Sequence, residues 1–519
     1  MNIMSKKFNI TGICIPEEHY MVNLNNRLVQ IKKLIDDKEY FTINRGRQYG
    51  KTTTLSRLRR FLADEYTVIF ISFEGFGHDN FSSEAIFCQE FLLTIDDFFE
   101  SLELTERWHA LEVKSFSQLS RHLTKMCKGK KVVLMIDEVD KASNYQVFLS
   151  FLSTLRKKYL ARADQIGFTF HSVILAGVYD IKNIKLKMIS DGLYVPSAEE
   201  RQINSPWNIA VPFEVDMSFS AEEISGMLLE YDQDYHTCMD IVDISKEIYS
   251  YTSGYPFLVS QVCKLIDEAL NKDWTRYGVS KAVKLMIKAP KLPTLFDDLN
   301  IKNNQELANF LYNILLVGEK YRFAGGVEVI DTALRYDFIK VVNEEIHVHN
   351  KIFEILITDY FVEKERISES KTVKNQVEFE VLRDGKFNIE LFFEKFNAHY
   401  QANYANRDVK FLEREACFLF LFFLQPYLNT KGKYFLENQS KSGKRMDVIV
   451  IYGDEEFVIE LKIWKGQKLH EDSKKQLLGY MTHRLVDKGY LLTFDFRKKL
   501  EQKQEWMEVD GKKLLIVQV

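Results

Sequence analysis

FTINRGRQYGKTT, residues 41–53, joins a short apolar run to a helix-like one through a turn carrying Gly46 and Gly50, with Lys51 and Thr52 directly after. Such a turn offers backbone N–H groups and the positive end of a helix dipole to an anion. A phosphate chain suits it: Lys51 can reach the β- and γ-phosphates, and the Thr52 hydroxyl can ligate Mg²⁺. The loop Arg45, Gly46, Arg47, Gln48, Tyr49, Gly50, Lys51, Thr52 and Thr53 is therefore the candidate site for ATP with Mg²⁺. Three residues separate the glycines where the usual pattern has four, and Arg45 stands in place of the first glycine. A Gly-Lys-Ser/Thr triplet alone arises by chance in about a fifth to a quarter of chains this long, so context must decide.

Outward from the turn, VVLMIDEVD (residues 132–140) is an apolar strand ending in adjacent carboxylates. Asp137 is placed to hold Mg²⁺ through water and Glu138 to polarise an attacking water; the plainer alternative is a strand with a solvated acidic end. YFTIN, TVIFISFEG, VVLMID and HSVILAGV alternate with helical patterns, which predicts parallel βαβ units covered on both faces. From Ser220, three residues before Glu223, a capping box opens a helical region. Residues 299–348 read as short helices followed by two strand-like pieces, KYRFAGG and EEIHVH, an order that suits a winged helix. Lys364 to Gly385 reads as a polar linker.

HYMVNLNNRLVQIKKLIDDKEYFTINRGRQYGKTT, DEVDK, ILAGVYDIKN, SPWNIA and SGYPFLV resemble, in that order, the AAA-like P-loop ATPases near the signal-transduction (STAND) branch. The resemblance spans about residues 8–360. It implies that HSVILAGV is a strand inserted between the P-loop strand and the Asp137 strand. It also implies that Gly254 and Pro256 of SGYP approach the nucleotide, the alternative being a loop between helices. Tyr179 or Asp180 would stand at the sensor position, and Arg201 is either an arginine finger or a surface residue.

Near the C-terminus, RMDVIVIYGDEEFVIELKIW (residues 445–464) holds Asp447, Glu460 and Lys462 on strand-like runs. Glu460 and Lys462, two apart, project from one face, where Asp447 on a neighbouring strand can meet them. Two carboxylates can bind Mg²⁺ with a scissile phosphate, while a lysine orients or deprotonates the attacking water. A half-exposed hairpin is the alternative, but Val458 and Trp464 on the same face favour a recessed cluster. The pattern resembles the PD-(D/E)XK nuclease superfamily over about residues 385–500. That resemblance implies metal ligation by Asp447 and Glu460, catalytic roles for Lys462 and Gln476, and an upstream acid among Glu413, Glu415 and Glu437. Lys441, Lys444, Arg445, Lys465 and Lys468 would grip a nucleic-acid backbone or form an ordinary lysine-rich turn.

A chain of 519 residues exceeds one core, and at roughly 150 residues per domain three or four are expected. The net charge of −4 excludes a generally basic coat. It is uneven: from Arg366 to Val519, 27 Lys and Arg face 23 Asp and Glu, while residues 1–365 hold 43 against 51. Scattered cysteines exclude a zinc ribbon and suit a reducing compartment. The longest apolar run, Ala416 to Leu424, is about half a membrane span, and the N-terminus lacks a secretory pattern, so a cytoplasmic protein with no membrane partner is expected.

The fold expected is α/β: a P-loop NTPase core (1–218), a helical lid (219–290), a winged-helix-like domain (291–363), a linker (364–385) and a restriction-endonuclease-like α/β domain (386–519). The function expected is ATP binding and hydrolysis that regulates a Mg²⁺-dependent DNA nuclease, in an assembly of one or more copies. A STAND-like signalling or scaffold ATPase that binds nucleic acid or protein without cutting is the alternative.

Overall fold

The computed structural model describes residues 6–178, 207–288, 301, 304–317, 319–369, 381–383, 386–403, 413–428, 432–438, 446–464, 466–484, 486–495 and 503–519. The chain forms two compact units, Met1–Asn300 with Ala324–Lys340, and Ile301–Phe323 with Val341–Val519.

In unit one, helix α1 (Asn25–Asp36) leads to strand β1 (Tyr40–Asn44) and helix α2 (Lys51–Leu62). Strand β2 (Thr67–Ser72), helices α3 (Glu84–Ser101) and α4 (Phe116–Met126), strand β3 (Val132–Asp137), helix α5 (Gln146–Ala163) and strand β4 (Ser172–Gly177) follow. The four strands form a parallel sheet in the order β1-β4-β3-β2. HSVILAGV thus supplies the strand between the P-loop strand and the Asp137 strand. Every residue of β3 and β4 is buried, as expected for parallel strands covered on both faces. Phe87, Phe91, Phe148 and Phe151 from the covering helices pack with Ile69, Leu134 and Leu175 in one core, and burying each such side chain contributes about 2 kcal/mol.

Helices α6 (Ala221–Tyr235), α7 (Ile241–Thr252), α8 (Pro256–Ala269) and α9 (Arg276–Lys288) complete the continuous part of unit one. The capping box is formed: Glu223 N–H donates to Ser220 Oγ (3.2 Å) and Ser220 N–H to Glu223 Oε2 (2.9 Å). Arg27 of α1 donates to the same carboxylate at 2.5 Å and to the carbonyls of Asp216 and Ser218, which ties the helical region to the core.

The chain next supplies α10 (Gln305–Tyr312) to unit two and α11 (Glu328–Arg335) to unit one. Strands β5 (Ile339–Val342) and β6 (Glu345–Val348) form a two-stranded ribbon, and α12 (Lys351–Glu369) follows. The first ribbon strand is therefore IKVV and not KYRFAGG. Arg322 makes only an isolated bridge with Glu345, and the chain turns at Gly325 and Gly326, the latter at φ +85°.

Unit two continues with the short strands β7 (Leu382–Arg383) and β8 (Lys386–Phe387), then α13 (Ile389–Asn403) and α14 (Glu413–Leu428). After these come β9 (Gly432–Asn438), β10 (Met446–Tyr452), β11 (Glu455–Ile463), α15 (Gln467–Arg484), β12 (Lys488–Phe494), β13 (Lys503–Val509) and β14 (Lys512–Gln518). The six-stranded sheet runs β13-β14-β12-β11-β10-β9. One face is covered by aromatic side chains of α13 and α14, with Phe392, Phe396 and Phe420 in one core with Val448, Val450, Ile459 and Leu461. On the other, Leu477 and Met481 of α15 pack with Val458, Leu491 and Leu514. After β12 the β13–β14 hairpin adds two strands to the sheet. Its turn is Asp510-Gly511, both left-handed (φ +50° and +75°), as a tight two-residue hairpin requires.

Gly254 has φ +74°, and a methyl group there would lie 1.9 Å from Phe219 O, while Phe219 N–H donates to Gly254 O at 2.8 Å. Gly254→Ala is therefore expected to lower unfolding stability by about 3 kcal/mol, read as a reduced midpoint in urea.

Candidate nucleotide and nuclease centres

Because β1, β3 and β4 are parallel, their C-terminal ends share one edge, and α2 begins there. Gly50 takes the left-handed conformation (φ +76°) that lets the turn enter α2. Lys51 is buried, and its ammonium donates to Arg45 O (2.9 Å) and Gly46 O (2.8 Å). Burial draws this ammonium below the usual lysine range, while the charges of Asp140, Asp137, Glu138 and Asp337 pull the other way.

Thr52 Oγ1 donates to Asp137 Oδ2 at 2.6 Å, bringing together the hydroxyl and carboxylate predicted to share Mg²⁺. Glu138 follows in a left-handed conformation (φ +53°), and burial, then the neighbouring Asp137, raises its carboxyl above the usual range. A non-glycine residue held there is sparsely populated and typical of functional turns.

The rest of the loop divides. Arg45 turns to the carbonyls of Asn44 and Val215, and Arg47 is exposed. Gln48 Oε1 is buried without a hydrogen-bond partner. Tyr49 hydroxyl meets Ser218 Oγ at 2.7 Å, and Thr53 Oγ1 accepts from Cys14 N–H at 3.2 Å. The SGYP segment lies against this turn: Tyr255 Oη donates to Arg47 O at 2.6 Å, and its ring meets that of Tyr49 edge-on. A cavity of about 320 Å³ opens beside Gly50 and Thr53, walled by Ile10, Val22, Phe219 and Pro256. Its size and apolar walls suit a small organic group such as a nucleobase.

Two residues escaped the sequence reading. Asp140 accepts from Val178 N–H at 2.6 Å and fills the space beside Gly177, where a methyl group would come within 2.8 Å of it. Asp337, just after α11, accepts from Gly46 N–H at 2.6 Å. No spacing rule links residues 291 apart in sequence. Tyr179, Asp180 and Arg201 lie outside the described residues.

In unit two, antiparallel register sets Glu437, Asp447 and Glu460 opposite one another across β9, β10 and β11. Of these, the Glu460 side chain is described. It is 0 % exposed, and Lys462 Nζ lies 2.6 Å from its Oε1. That contact is an ion pair without hydrogen-bond alignment: both Glu460 oxygens and Lys462 Nζ lack a hydrogen-bond partner, as do the buried Gln476 Oε1 and Thr493 Oγ1. Thr493 pairs with Lys462 in the β11–β12 register, and Gln476 lies on α15, which covers this face.

A buried carboxylate whose oxygens accept no hydrogen bond is strongly disfavoured unless a cation completes it. Oxygen donors of this kind fit Mg²⁺ or Mn²⁺. Among the described residues no group of three or more His, Cys, Asp or Glu side chains converges. Glu413 and Glu415 open α14, only their backbone being described. Lys441, Lys444, Arg445 and Lys465 lie outside the described residues, and the Lys468 side chain is not described.

Residues 433–505 match the model of the PD-(D/E)XK nuclease superfamily. The C-terminal sheet is a PD-(D/E)XK domain. The match begins on β9 and ends in β13, so it takes in the strands of the acidic row, the Glu460–Lys462 pair and α15. Three solved structures overlay on part of the chain. The Walker-type ATPase PABY2304 of Pyrococcus abyssi is 12% identical, with TM-score 0.47, covering 67% of this chain and 99% of that one. The ORC2 protein of Aeropyrum pernix is 10% identical, with TM-score 0.37, covering 68% and 98%. Cdc6p of Pyrobaculum aerophilum is 14% identical, with TM-score 0.32, covering 69% and 97%. The strand order β1-β4-β3-β2 and the turn from β1 into α2 give unit one its P-loop NTPase-like fold. No curated protein matches the sequence. Among the described residues no helix is long and apolar enough to cross a membrane.

Two outcomes are expected. Mg²⁺ or Mn²⁺ without nucleic acid should raise the melting temperature of the wild type through binding to the native state, and Glu460→Gln should remove the part of that shift due to the PD-(D/E)XK domain. Second, burial raises the Asp337 carboxyl from 3.8 to about 6. A carboxyl raised on folding favours the native state while protonated. That contribution is complete below the free value and lost as pH rises through about 6. Stability relative to Asp337→Asn should therefore fall over that window, by on the order of 3 kcal/mol at most, in urea titrations at stepped pH.

Proposed function

We propose that the chain binds and hydrolyses ATP in unit one and that its nucleotide state regulates Mg²⁺-dependent cleavage of DNA by the PD-(D/E)XK domain. The buried Glu460 carboxylate, beside Lys462 and in register with Asp447, carries the nuclease half of this reading. Bound Mg²⁺ would polarise the scissile phosphate and make its water more acidic. Glu460 and Asp447 hold that cation, Lys462 offsets the buried charge and orients the attacking water, and Gln476 braces the same face from α15. The C-terminal excess of basic residues supports a polyanionic substrate.

In unit one, Lys51 and the turn's N–H groups hold the phosphates, Thr52 and Asp137 hold the nucleotide's Mg²⁺, and Glu138 polarises water. Coupling draws support from the covalent path. The chain changes unit three times between residues 300 and 341, so displacement of Ala324–Lys340 pulls on both flanks. The domain limits given above, a cytoplasmic setting and self-assembly belong to the same reading.

The test is cleavage of labelled DNA and RNA with Mg²⁺, with and without ATP, by wild type, Glu460→Ala, Lys462→Ala and Lys51→Ala. Glu460→Ala and Lys462→Ala should each lose at least about 100-fold in rate, and Lys51→Ala should lose the ATP dependence. Undiminished metal-dependent cleavage by the first two variants would leave a non-cutting scaffold ATPase as the better reading.

A further inference from the structure

The phosphate-binding turn already holds an anion. Helix α11 ends at Arg335, and its final turn is closed by Asp337 N–H on Leu334 O and Phe338 N–H on Ala333 O. Asp337 itself is left-handed (φ +56°), a conformation aspartate tolerates better than most residues. The bend delivers its carboxylate to Gly46, with Oδ2 2.6 Å from the amide nitrogen. A methyl group on Gly46 would sit 2.5 Å from that oxygen, so the approach requires glycine there.

The groups that would serve a nucleotide are thus engaged within the chain. The Gly46 N–H is given to Asp337, and Lys51 Nζ to the carbonyls of Arg45 and Gly46. Asp337 is 9 % exposed. Burial raises its carboxyl to about 6 against the pull of the Gly46 N–H, Arg45 and Lys51, which leaves it mainly ionised at neutral pH. A turn of backbone N–H groups accepts a carboxylate as it accepts a phosphate oxygen.

We propose that Asp337 is a built-in competitor for nucleotide phosphate, holding the turn closed in the empty chain and leaving when a nucleoside di- or triphosphate takes its place. This rests on the reading of residues 45–53 as a nucleotide site. It assigns Ala324–Lys340 the role of the part that moves: phosphate binding releases its grip on Gly46, while Lys340 Nζ still holds Ser253 Oγ at 2.9 Å. The same segment is flanked on both sides by chain belonging to unit two. If the closed form dominates about ten to one, nucleotide binds about tenfold more weakly than to the open turn.

The experiment is titration of the full chain at pH 7.5 with a fluorescent ADP and, as a phosphate-only probe, with inorganic pyrophosphate. Wild type, Asp337→Ala, Asp337→Asn and Lys51→Ala are compared, with melting curves for each. Asp337→Ala should bind both probes about tenfold more tightly. Asp337→Asn, which keeps the shape and an acceptor oxygen but no charge, should fall between it and wild type. If Asp337→Ala does not fold, Asp337→Asn decides: tighter binding than wild type supports the proposal, and equal or weaker binding overturns it. Lys51-dependent binding by wild type that neither Asp337 variant tightens overturns this proposal alone. Loss of affinity in either folded Asp337 variant would make the carboxylate a ligand of the bound nucleotide and also overturn it. Absence of binding in wild type and both Asp337 variants removes the nucleotide site, and this proposal with it.

Discussion

A parallel sheet covered on both faces leaves polar side chains little place except the ends of its strands. In unit one β3 is buried from Val132 to Asp137 and β4 from Ser172 to Gly177, so their polar chemistry gathers at one edge. Asn44, Asp137 and Gly177 end their strands there, and α2 starts there with its N-terminus free to face an anion. The turn, the Thr52–Asp137 contact and the approach of Tyr255 and Asp337 all follow from that edge. In the PD-(D/E)XK sheet the helix on the Glu460 side packs mainly through Leu477 and Met481, and polar groups remain beneath it in mid-strand.

The two centres handle buried charge differently. Lys51, Asp137 and Asp337 each find partners within the chain. Glu460 has one lysine nearby and no aligned donor on either oxygen.

Much of this could be read in the sequence where function rides on local spacing. FTINRGRQYGKTT and VVLMIDEVD specify a strand, a turn and a strand end, and the parallel order β1-β4-β3-β2 brings them together. Period-two alternation placed Glu460 and Lys462 on one face. What spacing could not give was partnership over long separations: Asp337 meets Gly46 through the path of the whole helical region, and a lone Tyr-Asp-Phe carries no motif. Choosing among Glu413, Glu415 and Glu437 likewise depends on register, which sets Glu437 opposite Asp447 while the other two open a helix. The β13–β14 hairpin, by contrast, was legible. Its Asp510-Gly511 pair is a strong local turn signal, but it lies beyond residue 500, where the family resemblance ends. KYRFAGG resembles a strand through its alternating aromatics Tyr321 and Phe323, but Gly325 and Gly326 within it turn the chain and end any ladder.

The acidic row across β9, β10 and β11 exists only as alignment. Each acid comes from a different strand, and none is near another along the chain except through the pairing. The segments joining these strands can lengthen or shorten without disturbing the row. A single residue inserted between Asp447 and Val448, with Val448–Tyr452 kept in register, moves that position to the aromatic side of the sheet. The chemistry of this domain is thus kept by strand phase, and divergence will accumulate in its connections long before it reaches the lengths of its strands.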